Sequence, residues 1–124
     1  MGRPVLCIGE ILWDAMPQGL FLGGAPFNVA RHLVTLGERV EFASRVGDDE
    51  LGREALRRVR FHGIDTSFIQ RDRTLKTGFV EVELAADGVP GYEIHQPGAW
   101  DAIAADAALP AGARSARAVG LGTR

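Results

Sequence analysis

The sequence predicts an α/β fold built on a parallel β-sheet, with a β-hairpin that projects from it. Short apolar runs alternate with amphipathic segments in the first half of the chain, which is the rhythm of βαβ units. Between 78 and 95 this rhythm is broken, because two alternating strands follow each other around an Asp-Gly turn signal. The 124 residues suit one domain.

Two helices are expected in the first half. The first runs from about Pro26 to Leu36, since its apolar residues recur near the helical period and Gly37 can end it. The second runs from about Glu50 to Phe61, with Asp48 or Asp49 as the N-cap. Both follow predicted strands, which makes them crossover helices between parallel strands.

Strands are predicted around these helices. The run Val5 to Ile8 is continuously apolar, which is typical of a strand buried on both faces. The other expected strands lie at 20–22, 40–46, 68–70, 78–84, 91–95 and 116–121. An alanine-rich helix is expected from about Asp101, a possible cap, to Leu109, where Pro110 breaks it.

Composition narrows the function classes. The net charge of -2 argues against a general nucleic-acid binder, which needs a basic surplus. The single Cys7 lies in an apolar run and suits a buried structural thiol. The three histidines show no metal-ligand spacing. Without a signal-peptide core or an apolar run long enough to span a membrane, a cytoplasmic protein is expected.

A glycine pair before the first helix marks the candidate binding site. Gly23 and Gly24 end an apolar segment, and Asn28 follows in the first helical turn. Glycine lets backbone approach a ligand closely, and a helix N-terminus offers unpaired N–H groups. Asp14 follows the first strand, at the edge where open α/β sheets bind ligands. Position alone slightly favours a turn or capping role for Asp14.

Asp14, Gly23, Gly24 and Asn28 would form a small polar cup. A carboxylate accepts hydrogen bonds from hydroxyl groups and an amide both donates and accepts, so the cup suits hydroxyls better than an anion, which Asp14 would repel. The hairpin could cover the cup and exclude water, as phosphoryl transfer requires. A tight turn between a strand and a helix explains the glycine pair about equally well.

The chain resembles the N-terminal signature of the PfkB (ribokinase-like) carbohydrate kinases. The resemblance rests on Gly23-Gly24-Ala25-Pro26-Phe27-Asn28-Val29-Ala30, then Gly37, then Gly47-Asp48-Asp49 with Gly52. Gly9-Glu10 with Asp14 is similar to the family's first strand and sugar-binding aspartate, and Thr77-Gly78 is similar to the start of its lid. The Ala-Pro pair and the segment from Tyr92 to Asp101 are most similar to bacterial fructokinases.

The resemblance implies a partial ribokinase-like three-layer sandwich with a projecting β-hairpin lid. Residues 1–124 would be the N-terminal portion of a single kinase domain, with lid segments at about 15–23 and 77–96. The implied activity is transfer of phosphate from ATP, with Mg²⁺, to a sugar hydroxymethyl group in the complete enzyme. Ala25 stands where ribokinases proper carry lysine, which favours fructose or a related hexose. The implied substrate-binding residues are Asp14, Gly23, Gly24, Asn28 and, as a lid contact, Tyr92.

A second family signature, a Gly-Ala-Gly-Asp stretch, does not occur in these residues. The resemblance implies that its aspartate is the general base, that its glycines form the anion hole, and that the nucleotide site lies in the same part of the fold. No catalytic residue, metal or bound cofactor is therefore expected in this chain, which is expected to be inactive alone. The alternative is a non-catalytic sugar-binding or interaction module. The expected partners are a small-molecule sugar and a second copy joined through the hairpin, without nucleic acid or membrane.

Overall fold

Two four-stranded sheets organise the residues described by the computed structural model, which are 2–84, 88, 90–95, 98–104 and 108–121. Only the backbone is described at 82–84, 90–95 and 108–111. The strands are β1 Val5–Ile8, β2 Leu12–Met16, β3 Gly19–Gly23, β4 Val40–Gly47, β5 Asp65–Asp72, β6 Gly78–Leu84, β7 Pro90–His95 and β8 Ala118–Leu121. The helices are α1 Ala25–Thr35, α2 Glu50–Phe61 and α3 Ala108–Ser115, with a short 3-10 helix at Ala99–Ala102.

The first sheet is parallel throughout, in the order β5-β4-β1-β8. One of its faces packs against α1 and α2. Cys7 and Phe42 are paired in register on that face, and the ring of Phe27 from α1 meets Phe42 edge-on with the centroids 6.2 Å apart. Cys7 is buried, as expected of a structural thiol.

The third helix covers the opposite face of this sheet. Ile69 of β5 packs against the core, so its neighbour Phe68 points the other way. Gly112 of α3 lies against Phe68, since an added Cβ would come 2.6 Å from the ring. Helices therefore lie on both faces of a parallel sheet, which confirms the predicted three-layer α/β arrangement.

The second sheet has the order β3-β2-β6-β7. The predicted hairpin is present as the antiparallel pair β6 and β7, with Val82 opposite Tyr92. Its turn lies largely outside the described residues. The hairpin does not stand alone, because β6 pairs in parallel with β2, beginning at Leu12 and Gly78. The inner face of this sheet carries Trp13, whose indole N–H donates to the Leu51 carbonyl of α2 at 3.0 Å.

Two predictions about elements are wrong. Strand β2 was not expected, and Asp14 lies within it instead of in a loop after β1. The alanine-rich helix does not run from 101 to 109. The backbone of Ala104 instead exchanges two hydrogen bonds with the Gln70 side chain, and α3 begins only at Ala108. Pro110 sits in the first turn of α3, where a missing N–H costs no helical hydrogen bond.

The two earlier helices agree closely with the sequence. The bounds of α2 are as predicted, and Asp49 is its N-cap, accepting from the Gly52 N–H at 2.7 Å. Helix α1 begins one residue earlier than expected, so Pro26 occupies its second position. None of the helices in the described residues is both long and apolar enough to cross a membrane.

Candidate sugar-binding site

Asp14 occupies the centre of β2, between Phe21 of β3 and Val80 of β6. Trp13 beside it is buried on the inner face of the sheet, so alternation puts Asp14 on the other face, where it is partly buried. This burial raises the pKa of the Asp14 carboxyl above its ordinary value of 3.8, because lost hydration disfavours the charge. A hydroxyl group that donates to this carboxylate would replace part of the lost hydration.

Gly23 makes room for that carboxylate. An added Cβ on Gly23 would lie 2.5 Å from Asp14 Oδ2. Gly23 does not have the positive φ that would require glycine on conformational grounds. The reason for glycine here is therefore the side chain of Asp14, which the antiparallel pairing of β2 with β3 brings against it.

Gly24 is required for two separate reasons. Its φ of 108° lies in a region that residues with a Cβ rarely adopt. An added Cβ would also lie 2.7 Å from the backbone oxygen of Glu10, which is itself buried. Gly24 is the N-cap of α1 and has no side chain to satisfy the helix N–H groups. The first N–H groups of α1 therefore receive no side-chain cap from position 24.

Asn28 completes the first turn of α1. Its backbone N–H donates to the Gly24 carbonyl at 3.0 Å, which ties its position to the glycine pair. The residue is exposed, and no side-chain hydrogen bond is found for it among the described residues. Its amide is thus available both to donate to and to accept from a ligand hydroxyl.

The structure connects four of the five predicted site residues. Asp14 touches Gly23, Gly23 precedes Gly24, and Gly24 is hydrogen bonded to Asn28. The backbone of Tyr92 lies in β7, two strands from Asp14, but its side chain is outside the described part of the structure. The connected residues combine a partly desolvated carboxylate, a helix N-terminus without a side-chain cap, and an amide, which suits recognition of hydroxyl groups.

The sequence interpretation missed a network beside this site. Asp49 accepts from the Thr77 hydroxyl at 2.7 Å and from the Thr77 N–H at 3.1 Å, in addition to capping α2. The Gly47-Asp48-Asp49 and Gly52 spacing indicates a helix cap and a family motif, and neither reveals this network. Thr77 could not be joined to it, because 28 residues separate the two side chains.

A metal centre is not formed by the part of the chain that the structure describes. There, no three His, Cys, Asp or Glu side chains are grouped so that they could hold an ion. No chemical step is assigned to a metal on these residues.

Comparison with known proteins identifies the family. The pfkB family carbohydrate kinase profile matches residues 12–106. The probable fructokinase-7 of Arabidopsis thaliana is 36% identical over 96 residues, which cover 68% of this chain and 28% of that protein. The fructokinase of Escherichia coli is 34% identical over 93 residues, which cover 71% of this chain and 30% of that protein. This chain therefore spans about a third of the length of the curated relatives it matches.

Solved structures agree with this assignment. The fructokinase of Halothermothrix orenii superposes with a TM-score of 0.81 at 26% identity, covering 95% of this chain and 45% of that one. A fructokinase of Xylella fastidiosa with bound ATP has a TM-score of 0.72 at 33% identity, covering 82% of this chain and 33% of that one. The chain belongs to the pfkB family of carbohydrate kinases, and its fold is the N-terminal part of the ribokinase-like sandwich.

Proposed function

We propose that this chain supplies the sugar-binding part of an ATP-dependent kinase for fructose or a related hexose. The observation that carries the proposal is the Asp14 carboxylate, which lies against Gly23 at the start of the helix that bears Asn28. The similarity to proteins named as fructokinases supports the choice of sugar.

Recognition follows from the chemistry of these groups. The carboxylate of Asp14 accepts from sugar hydroxyls, and such charge-assisted hydrogen bonds are stronger than neutral ones. The Asn28 amide donates to one sugar oxygen and accepts from a neighbouring hydroxyl. Gly23 leaves room for the Asp14 carboxylate and Gly24 for the Glu10 backbone, so both glycines keep the carboxylate and the start of α1 close together.

Phosphate transfer needs groups that these residues do not provide. We assign the catalytic base, ATP and Mg²⁺ to the complete enzyme, and no catalytic residue to this chain. In this proposal the second sheet acts as a lid, made by about 15–23 and 77–96, with Tyr92 as a lid contact. By this proposal the isolated chain binds sugar and does not turn over ATP.

The lid also provides a surface for a homodimer. Met16, Leu20 and Phe21 are large apolar residues on β2 and β3 with 41–48% of their surface exposed. Met16 and Phe21 share the face of the sheet that carries Asp14, and Leu20 lies on the opposite face, so association through either face would remove part of that surface from water. The proposed protein acts in the cytoplasm on a small-molecule sugar, with neither nucleic acid nor membrane as a partner. The mass of the chain in solution, measured by light scattering, tests the dimer.

Two measurements on the 124-residue chain test the sugar proposal. A thermal melt with fructose is expected to show a raised midpoint, since a ligand that binds only the folded state stabilises it. The same melt with Asp14→Asn should show little or no rise. An absent shift in the unsubstituted chain would contradict sugar binding, and an equal shift in Asp14→Asn would remove Asp14 from the site. Fructose-dependent ATP hydrolysis by the chain would disprove its proposed inactivity.

A further inference from the structure

We propose that Asp49 and Thr77 are positioning residues that join the second sheet to the parallel-sheet body and thereby hold Asp14 in place. The junction itself stands on the contacts of this chain. Its consequence for ligand binding at Asp14 rests on the proposed function.

Thr77 is the residue immediately before β6, and its side chain has a full set of partners. The hydroxyl donates to Asp49 Oδ1 at 2.7 Å and accepts from the Gly47 N–H at 2.9 Å. Its backbone N–H donates to Asp49 Oδ2 at 3.1 Å. Thr77 is only 4% exposed, so water cannot readily replace these partners.

Helix capping by itself does not account for this arrangement. The cap needs one carboxylate oxygen of Asp49, which accepts from the Gly52 N–H at 2.7 Å. The second oxygen, Oδ2, accepts a hydrogen bond only from the Thr77 backbone N–H, among the contacts of the described residues. The pKa of Asp49 reflects this dual role, because burial would raise it, yet the hydrogen bonds from Thr77 and Gly52 outweigh burial and lower it.

Two glycines provide the space for the junction. An added Cβ on Gly47 would lie 2.5 Å from Asp49 Oδ2 and 2.6 Å from the Thr77 nitrogen. An added Cβ on Gly52 would lie 2.0 Å from the Gly47 carbonyl oxygen. Side chains at these positions would push β6 away from α2. Glycine at both positions is therefore needed for the junction as well as for the start of α2.

The junction is continuous with the Asp14 strand. Strand β6 starts at Gly78, next to Thr77, and pairs in register with β2, so that Val80 lies opposite Asp14. The return end is held at the same point, because the Ala99 N–H donates to the Lys76 carbonyl at 2.7 Å. The Trp100 ring also packs on Gly78, where an added Cβ would lie 2.7 Å from Trp100 Cδ1. The segments that precede and follow the hairpin are thus held together next to Thr77.

Hydrogen exchange in the 124-residue chain tests the junction directly. Thr77→Val keeps the shape of the side chain and removes the hydroxyl, while Thr77→Ser keeps the hydroxyl. Thr77→Val removes the hydrogen bond from the hydroxyl to the charged Asp49 and the one that the hydroxyl accepts from the Gly47 N–H. Their loss is expected to speed amide exchange in β6 by about tenfold. Exchange in β1 and in residues 40–46 of β4 should change by less than about twofold, whereas the Gly47 N–H loses its own acceptor. Thr77→Ser should restore slow exchange in β6.

The outcomes separate a junction from general stability. Unchanged β6 exchange in Thr77→Val, or equal acceleration in β1 and in residues 40–46 of β4, would overturn the proposal. If Thr77→Val does not fold, Asp49→Asn is the second variant, because its amide oxygen can still cap α2 while its nitrogen cannot accept from Thr77. Asp48→Asn is the matched control. Its carboxylate is 53% exposed and faces Arg53 at 3.6 Å, so this change should leave β6 exchange unaltered.

Fructose affinity, measured by calorimetry, tests the link to Asp14. Thr77→Val should weaken binding by about tenfold and Thr77→Ser should not, if the junction positions Asp14. Faster β6 exchange with unchanged affinity would overturn the positioning role. If the unsubstituted chain does not bind fructose, the proposed function fails, and the exchange experiment still decides the junction.

Discussion

The carboxylate of Asp14 fills the space that a side chain at position 23 would need. The two residues lie on adjacent antiparallel strands, and an added Cβ on Gly23 would come 2.5 Å from Asp14 Oδ2. The atom that would have to move is the end of a flexible side chain. A methyl group at position 23 should therefore displace the carboxylate and leave the backbone in place.

Gly23→Ala should consequently weaken fructose binding with little effect on folding. We expect affinity to fall by about tenfold, because an oriented charged acceptor is lost from the sugar. The free energy of unfolding should change by about 1 kcal/mol or less, since the reduced entropy of the unfolded chain offsets crowding. Calorimetry and urea unfolding measure the two effects. If Gly23→Ala binds fructose as tightly as the parent chain, the orientation of the Asp14 carboxylate does not matter for sugar binding.

Gly24→Ala, unlike Gly23→Ala, should mainly lower the stability of the fold. The residue has a φ of 108°, and the nearest atom to an added Cβ is a backbone oxygen, that of Glu10 at 2.7 Å. We expect a loss of about 1–3 kcal/mol in the free energy of unfolding, measured in urea. Gly37→Ala is the control, because Gly37 also has a positive φ, of 91°, but has open space around it. If Gly24→Ala lowers the free energy of unfolding no more than Gly37→Ala does, the steric contribution of Glu10 is refuted.

Asn28→Ala should reduce sugar affinity without destabilising α1. The side chain is exposed, and alanine is the better helix former by roughly half a kcal/mol. Losing the amide should weaken fructose binding by about tenfold, and in the complete enzyme it should raise the apparent KM for sugar strongly. His32→Ala, at an exposed position of the same helix, should leave affinity unchanged. Equal affinity of Asn28→Ala and the parent chain would remove Asn28 from the site.

Asp72→Asn should lower stability at neutral pH and make less difference in acid. Hydrogen bonds from the Leu75 backbone, the Arg45 side chain and the Thr74 backbone lower the pKa of Asp72 from 3.8 to about 2. A folded-state pKa below the unfolded value stabilises the protein above about pH 4, and this contribution is lost as pH falls towards 2.

Urea unfolding at several pH values measures this effect. The gap in unfolding free energy between the parent chain and Asp72→Asn should narrow steadily from pH 5 to pH 2. Asp48→Asn, with its exposed carboxylate, is the control. A gap that does not change with pH would contradict the assigned ionic contribution of Asp72.

Sequence patterns correctly predicted the helices and strands that are stabilised by contacts between residues near each other in the chain. The bounds of α2 follow from its cap at Asp49 and its amphipathic repeat, and the β6–β7 hairpin follows from alternation around a turn. The site residues Asp14, Gly23, Gly24 and Asn28 were selected by residue type, spacing and family resemblance. Their roles in binding remain predictions.

Strand β2 was missed because its stability comes from distant partners. Its short segment contains a charged residue at position 14 and has weak alternation, so it carries little local signal. Its parallel partner begins at Gly78, far along the chain. The displaced start of α3 has a similar origin, since the Gln70 side chain takes the backbone bonds of Ala104 and prevents a helix there.

The α/β class, the family and the group of residues at the glycine pair could be predicted before folding was considered, because periodicity, turn chemistry and motif spacing are local properties of the chain. The position of Asp14, the steric reason for glycine at position 23 and the hydrogen bonds between Asp49 and Thr77 became visible only in the folded chain. Those answers depend on strand register and on atoms brought within hydrogen-bonding distance by folding. Such contacts leave no pattern in the intervening residues.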